Sequence, residues 1–156
     1  MHDVSELAFQ VEAWPAVAEE IKPLIAAHWS EMPFDVSLPL EPDYDLYRQL
    51  DVLARLHILT ARADGELVGY FIAFLGRHPH YDIRVGSMDI YYLAPKYRRG
   101  LNGLRLFEEY ERTIRTRGAR FLMATARLDR EQNAAKLFER LGWQQARMLY
   151  SKRLED

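Results

Sequence analysis

Between Tyr91 and Glu111 the chain reads YYLAPKYRRGLNGLRLFEEYE, an aromatic strand-like run, a proline, three cations (Lys96, Arg98, Arg99), glycines at 100 and 103, and then a helical pattern. That order has a chemical use. A strand that stops at Pro95 and turns through Gly100 and Gly103 into a helix aims unpaired backbone N–H groups and the positive end of the helix dipole at one point. Arg98, Arg99 and Arg105 add full charges there. Glycine in such a turn lets an anion reach the amides, whereas a side chain would hold it away. The segment reads as an anion cradle, although neither Gly-x-x-x-x-Gly-Lys-Ser/Thr nor Gly-x-Gly-x-x-Gly occurs in it.

A carboxylate inside the apolar run MDIYYL is the second feature. Burial at Asp89 raises a carboxyl pKa toward the range useful for taking a proton near neutrality. The same residue reads equally as a structural acid paired with an arginine such as Arg84. His78 and His80, in GRHPHYDIRVG just upstream, titrate nearer neutrality and are either rival bases or loop histidines without a role. Cysteine is absent, which excludes a Cys-acyl intermediate, a Cys-based zinc site and a thiol redox centre.

Charge is unevenly distributed. Residues 96–120 hold eight bases against three acids, while residues 31–51 hold Glu31, Asp35, Glu41, Asp43, Asp45 and Asp51 against Arg48 alone. The first segment suits an anion and the second a cation; each is also compatible with an ordinary solvated surface. A net charge of -2 argues against a general nucleic-acid coat. The N-terminus MHDVSELAFQ carries acids where a signal peptide carries bases, and no apolar run approaches the ~18 residues of a membrane span, so a soluble, cytoplasmic chain is expected.

The elements that must hold these residues alternate. LAFQVEA (Leu7 to Ala13) predicts a strand. AVAEEIKPLIAAHW follows, with Val17, Ile21, Leu24, Ile25 and His28 at helical spacing and a kink or split expected at Pro23. After the loop SEMPFDVSLPLEPD comes a helical stretch around Tyr44 to Leu56. HILTARADGELVGYFIAFL predicts two strands joined by a tight hairpin at Asp64–Gly65. SMDIYYLA predicts the next strand. Leu104, Leu106, Phe107, Tyr110 and Ile114 stripe a helix from Asn102 to Thr116, ended by Gly118 as a left-handed cap. RFLMATARL predicts another strand. Asp129 and Gln132 form a capping-box pattern before Ala134, Leu137, Phe138 and Leu141, Gly142 closes that helix, and WQQARMLYSKRL predicts a final strand. One domain over residues 1–156 is expected, an α/β (α+β) sandwich layer with helices on the faces of a sheet.

This order, with ADGELVGYFIAFL as central hairpin, IYYLAPKYRRGLNGLRLFEEYE as loop and helix, and AAKLFERLGW as terminal helix and turn, resembles the GCN5-related N-acetyltransferase (GNAT) family over nearly the whole chain. The family's loop pattern, Arg/Gln-x-x-Gly-x-Gly/Ala, is met by Arg98 and Gly103. Leu101 stands where its first glycine would be, with a glycine displaced to position 100. The resemblance implies a GNAT-like acyl-CoA N-acyltransferase fold with a mixed sheet of about six or seven strands. It also implies acetyl-CoA as acyl donor, no metal, transfer to a primary amine by direct attack, and dimers as a common assembly. For acetyl-CoA it points to Tyr92, Leu93, Ala94, Arg98, Arg99, Gly100, Leu101, Asn102, Gly103, Leu104, Asn133 and Phe138. A backbone N–H within Tyr92–Leu93–Ala94 would polarise the thioester carbonyl, and Asp89 matches the region of the family's base. The tyrosine that protonates the leaving thiolate in many members is matched by Phe138, which has no proton to give. Tyr150, Tyr91, Tyr92 or solvent would substitute, and Tyr150 is the candidate carried forward. The acceptor site is implied in residues 31–47 and 77–81, including Phe34, Tyr44, His80 and Tyr81. The acidic excess there favours a cationic small molecule or a protein amine. Two alternatives share the sequence: a non-catalytic acyl-CoA-binding or sensory module, and a nucleic-acid-modifying enzyme whose arginines grip phosphates.

Overall fold

In the computed structural model, which describes residues 6–33, 37–127 and 132–154, the Asp64–Gly65 pair forms the expected turn. Both residues have positive φ, 49° and 86°. That backbone shape matches the twist of the two strands it joins, and glycine adopts it without steric cost. The strands are β2 (Leu56–Ala63) and β3 (Glu66–Arg77). With β1 (Ala8–Val11), β4 (Arg84–Leu93) and β5 (Ala119–Met123) they form one sheet in the order β1-β2-β3-β4-β5, antiparallel through β4 and parallel at β5.

Helices cover both faces because the central strands β2 and β3 are buried on both. Helix α1 (Trp14–Glu31) buries Trp14, Val17, Ile21 and Ile25 against Leu56, Ile58, Leu67, Tyr70, Ile72 and Tyr92. Of the kink or split expected at Pro23, the split does not occur, since α1 runs through it. Pro23 is exposed, so the carbonyl its missing N–H leaves unpaired faces water, and the buried stripe holds the helix continuous. Helix α2 (Tyr44–Val52) is shorter than its pattern suggested and is capped by Asp43, whose carboxylate accepts from the Leu46 N–H at 2.9 Å. On the opposite face α3 (Asn102–Thr116), matching its predicted bounds, sets Phe107 and Tyr110 against Phe71 with ring centroids 5.1 and 3.8 Å apart. Gly118 caps it at φ +86°.

By their contacts the residues group into Met1–Met123, which contains this sheet, and Ala124–Asp156. The second unit holds α4 (Gln132–Arg140), closed by Gly142 at φ +81° with the Trp143 N–H donating to Phe138 O at 2.9 Å. Asp129, the expected cap, lies outside the described residues. Among the described residues 143–154 there is no strand, and the sheet has five strands rather than six or seven. Met148, Leu149, Tyr150 and Leu154 are exposed. A strand exists only by pairing with a neighbouring edge, which local composition does not supply. No helix of the described residues is long and apolar enough to cross a membrane.

Under α3 lies a fully buried histidine. His57 on β2 bonds through Nε2 to Thr113 Oγ1 at 3.0 Å and lies 3.4 Å from the Arg117 guanidinium through Nδ1. Burial, reinforced by Arg117, depresses its pKa from 6.5 to about 4. Between those values the unfolded chain binds a proton that the folded chain refuses, so stability falls as pH drops through that window. The thermal midpoint is therefore expected to decline from pH 7 toward pH 4. His57→Gln should be less stable at pH 7 yet show a shallower decline, and an unchanged slope would remove His57 as the cause.

Candidate active site

Strand β4 is irregular where chemistry is expected. Ile90 lies opposite Ile72 and Met88 opposite Ala73, so Asp89 is an extra residue with no counterpart on β3. Such a bulge turns two successive side chains to one face. Ile90 joins the core under α1, and Asp89 points to the same side, where its Oδ2 accepts a short hydrogen bond from Tyr47 Oη. Tyr47 comes from α2 and is fixed by its neighbours, with ring centroids 5.2 Å from Trp14 and 6.3 Å from Phe74. The Trp14 N–H in turn donates to Asp51 Oδ2 at 3.2 Å, tying the start of α1 to the end of α2. Burial raises the Asp89 pKa, and the Tyr47 bond offsets part of the rise. Burial, followed by the Asp89 charge, raises that of Tyr47, which stays a phenol and a donor.

At its other end β4 is open along one edge. Successive N–H groups of an extended strand point to opposite edges. That of Ala94 donates to Val68 O at 2.8 Å, on the β3 side, so that of Leu93 faces away from β3. Pairing of β4 with β5 runs only from Arg84 and Ala119 to Ser87 and Met123. The Leu93 carbonyl, on the same open edge, accepts from Arg98 Nε at 2.5 Å, a side chain in the place of a strand.

The loop after Leu93 passes through a 3-10 turn, Pro95–Tyr97, and Gly100 at φ +57° into α3. No side chain caps α3. A Cβ on Gly100 or on Gly103 would meet nothing within 4 Å, so the first-turn amides border open space. Lys96, Arg99 and Leu101 are exposed at this mouth, and Asn102 turns its side chain inward to donate to Tyr97 O at 3.1 Å. Arg98 is used differently from its expected role as an anion ligand. Besides holding Leu93 O it pairs with Glu31 at 2.7 Å and lies over the Tyr92 ring at 5.2 Å. Arg105 pairs with Glu6 at 3.4 Å.

Several residues of the site gave little sign of themselves in the sequence. His28 accepts or donates through Nδ1 to Tyr70 Oη at 2.9 Å and stacks on Tyr92 at 5.1 Å, while Tyr92 Oη donates to Glu31 at 3.1 Å. Burial lowers the His28 pKa, only partly countered by Glu31. On the sequence His28 was one more position of the α1 stripe, and Tyr47 and Tyr70 were ordinary aromatics. Asp89 is not paired with Arg84, whose guanidinium instead donates to Arg117 O at 2.8 Å and Ala54 O at 3.4 Å. His78, His80 and Tyr81 lie in the turn between β3 and β4, with the His78 ring 4.8 Å from that of Tyr81. Tyr44 stacks on Trp14 at 5.7 Å. Tyr91 packs on the α3 face against Phe107 at 4.9 Å. Phe34 lies outside the described residues. Tyr150, Asn133 and Phe138 belong to the second unit; there Tyr150 is exposed and the Phe138 ring lies 5.0 Å from Trp143.

The acids of residues 31–51 are largely occupied. Glu31 pairs with Arg98, Asp43 caps α2, Asp45 pairs with Arg48 and Asp51 holds the Trp14 N–H. Among the described residues there is no group of three or more His, Asp or Glu placed to hold a metal ion.

An uncapped helix start, an unpaired strand edge among the described residues and a half-buried carboxylate thus lie along β4 and the turn that follows it. Residues 21–143 match the sequence profile described as Acetyltransferase (GNAT) family. The chain belongs to that family and is an acetyl-CoA-dependent acyltransferase. Solved structures share the fold at low identity. An aminoglycoside acetyltransferase, HMB0005, from an uncultured soil metagenomic sample has a TM-score of 0.78 at 19% identity, covering 96% of this chain and 99% of that one. A ribosomal-protein-alanine N-acetyltransferase from Brucella melitensis biovar Abortus 2308 has 0.73 at 22%, covering 96% and 100%. Aminoglycoside N-acetyltransferase AAC(6')-Iy, solved in complex with CoA, has 0.70 at 16%, covering 100% and 99%. No curated protein matches the sequence.

The open space at Gly100 and Gly103 fits the diphosphate of coenzyme A, since a Cβ there would project where the anion must approach the amides. Stability and affinity should therefore move in opposite directions in Gly103→Leu. Helix propensity favours leucine over glycine by about 0.8 kcal/mol, so the thermal midpoint should hold or rise. The calorimetric Kd for acetyl-CoA should weaken about tenfold, or ~1.4 kcal/mol. Unchanged affinity would place the diphosphate elsewhere.

Proposed function

We propose that this acetyltransferase moves the acetyl group of acetyl-CoA directly to a primary amine of a small molecule or protein, with Asp89 as general base. The observation that carries the reading is the bulge, which puts a half-buried carboxylate on the same strand as the open edge at Leu93. When bound, acetyl-CoA supplies an activated thioester carbonyl. The first-turn amides of α3 at Gly103 and Leu104 would hold the diphosphate, with Arg99 and Lys96 at its margin; the Asn102 N–H already donates to Arg99 O at 3.3 Å. The Leu93 N–H, which faces away from β3, would donate to the carbonyl oxygen and stabilise the negative charge that grows there as the amine attacks, an effect worth about 3 to 4 kcal/mol in other acyl-transfer sites.

The acceptor arrives as an ammonium, without a lone pair at neutral pH. Asp89 takes its proton. Tyr47 holds Oδ2 and so fixes the carboxyl plane, which leaves Oδ1 toward the amine. The raised pKa of Asp89 brings the base closer to the pH at which it works. The aromatic ring set of Trp14, Tyr44, Tyr47 and Phe74 keeps that face of the site apolar, so water competes poorly for the carboxyl. A thiolate is a good enough leaving group to depart without an acid from the protein.

With the preferred amine of an acceptor screen, Asp89→Asn should lower kcat by about 10²- to 10⁴-fold and abolish the acid limb of the pH–rate profile, which reports protonation of the base. The Kd for acetyl-CoA should be unaffected. Full turnover in the variant would remove Asp89 as base. Tight acetyl-CoA binding without turnover on any amine, in the unsubstituted protein, would favour a sensory module instead.

A further inference from the structure

A second cavity-borne feature lies on the Asp89 face of the sheet. Where β3 ends and β4 begins, an open cavity of about 270 Å³ is lined by ten residues, among them Arg55, Phe74, Arg77, His78, Ser87 and Met123. Its place relative to the base is set by the strands. Phe74 lies opposite Ser87, and its ring stacks on Tyr47, the partner of Asp89. Ser87 is two residues before Asp89 on the same strand. The cradle at the start of α3 follows the other end of β4, so the cavity is reached from the side opposite the coenzyme diphosphate.

No carboxylate lines this cavity. Its basic side chains are Arg55, Arg77 and His78. Arg77 is partnered by Asp82 at 2.6 Å. The His78 ring accepts the His80 N–H through Nδ1 at 3.1 Å, which leaves Nε2 as its donor. Arg55 is different. Among the described residues it forms no ion pair, and its one side-chain hydrogen bond runs from Nε to Leu75 O at 3.4 Å, so the two terminal nitrogens of the guanidinium remain for a ligand. A guanidinium with two parallel N–H donors matches a carboxylate or phosphate. The Ser87 hydroxyl supplies a further donor on the wall nearest the base.

We infer that the acceptor is an amine that also carries an anionic group, a carboxylate or phosphate, seated in this cavity against Arg55 and Ser87 while its amine reaches along β4 to Asp89. This rests on the acetyl-transfer reading above. It redirects the expectation drawn from the acidic run 31–51. Most of those acids cap or pair within the fold, so they do not define a cation site, whereas the cavity beside the base is lined by cations.

Matched acceptor pairs that differ only in the anion test it, with thiol release from acetyl-CoA as the readout: 4-aminobutyrate against butylamine, O-phosphoethanolamine against ethanolamine, and glycine against glycinamide. The expected result is a kcat/KM at least tenfold higher for the anionic member of one pair or more. Arg55→Gln should then raise KM for that member about tenfold with little change in kcat and bring the ratio within the pair toward one. Arg55→Lys should restore part of the preference, and the acetyl-CoA Kd should be the same in all three proteins. If acetyl-CoA binds and turns over but each pair is used equally, or polyamines such as spermidine are preferred, the anionic subsite is wrong and the transferase stands. Equal losses on both members of a pair in Arg55→Gln also overturn it, because they indicate a structural role. Absence of acetyl-CoA binding overturns both readings.

Discussion

The site depends on the parting of two strands. Strands β4 and β5 run side by side from Arg84 to Ser87 and then pairing stops, so the edge of β4 from Met88 to Leu93 has no strand beside it among the described residues. Backbone groups left in this way must find other partners. One carbonyl, that of Leu93, finds a guanidinium, and the Leu93 amide faces away from β3. A fully paired sheet would satisfy both and have nothing to offer a substrate.

The bulge at Asp89 complements that opening. A regular strand would have sent Asp89 to the α3 face, into the aromatic packing of Phe71, Phe107 and Tyr110. One extra residue turns it instead to the α1 and α2 face, where Tyr47 receives it. Partly burying the carboxyl raises its pKa, and the base proposed above draws on that same desolvation. The rings of Trp14 and Phe74 then keep Tyr47 from turning away.

Much of the fold was legible because local chemistry and tertiary structure agree. Asp64–Gly65 specified its hairpin through backbone freedom, and the apolar stripe of Asn102 to Thr116 specified α3 to the residue. The places where reading failed are those where partners far along the chain decide. Pro23 suggested a break, but the burial of Ile21 and Ile25 prevailed. WQQARMLYSKRL predicts a final strand, yet its residues form none. In the site, Asp89 was visible as a charge in an apolar run, but a bulge is a matter of register and leaves no mark in one strand's composition. Arg98 was visible as a cation beside glycines, yet Glu31, its partner, is far away in sequence. The tyrosine that fixes the base could not be singled out, since Tyr47 gains meaning only when α2 is laid over β4.

That bond between Arg98 and Glu31 carries a mechanical implication. One planar group clasps the carbonyl at the tip of β4, the last residue of α1 and, across its face, the ring of Tyr92. The turn that leads into α3 and the last residue of α1 are thus bolted to a common rivet. Any displacement of the turn must therefore break this clasp or carry the end of the helix with it.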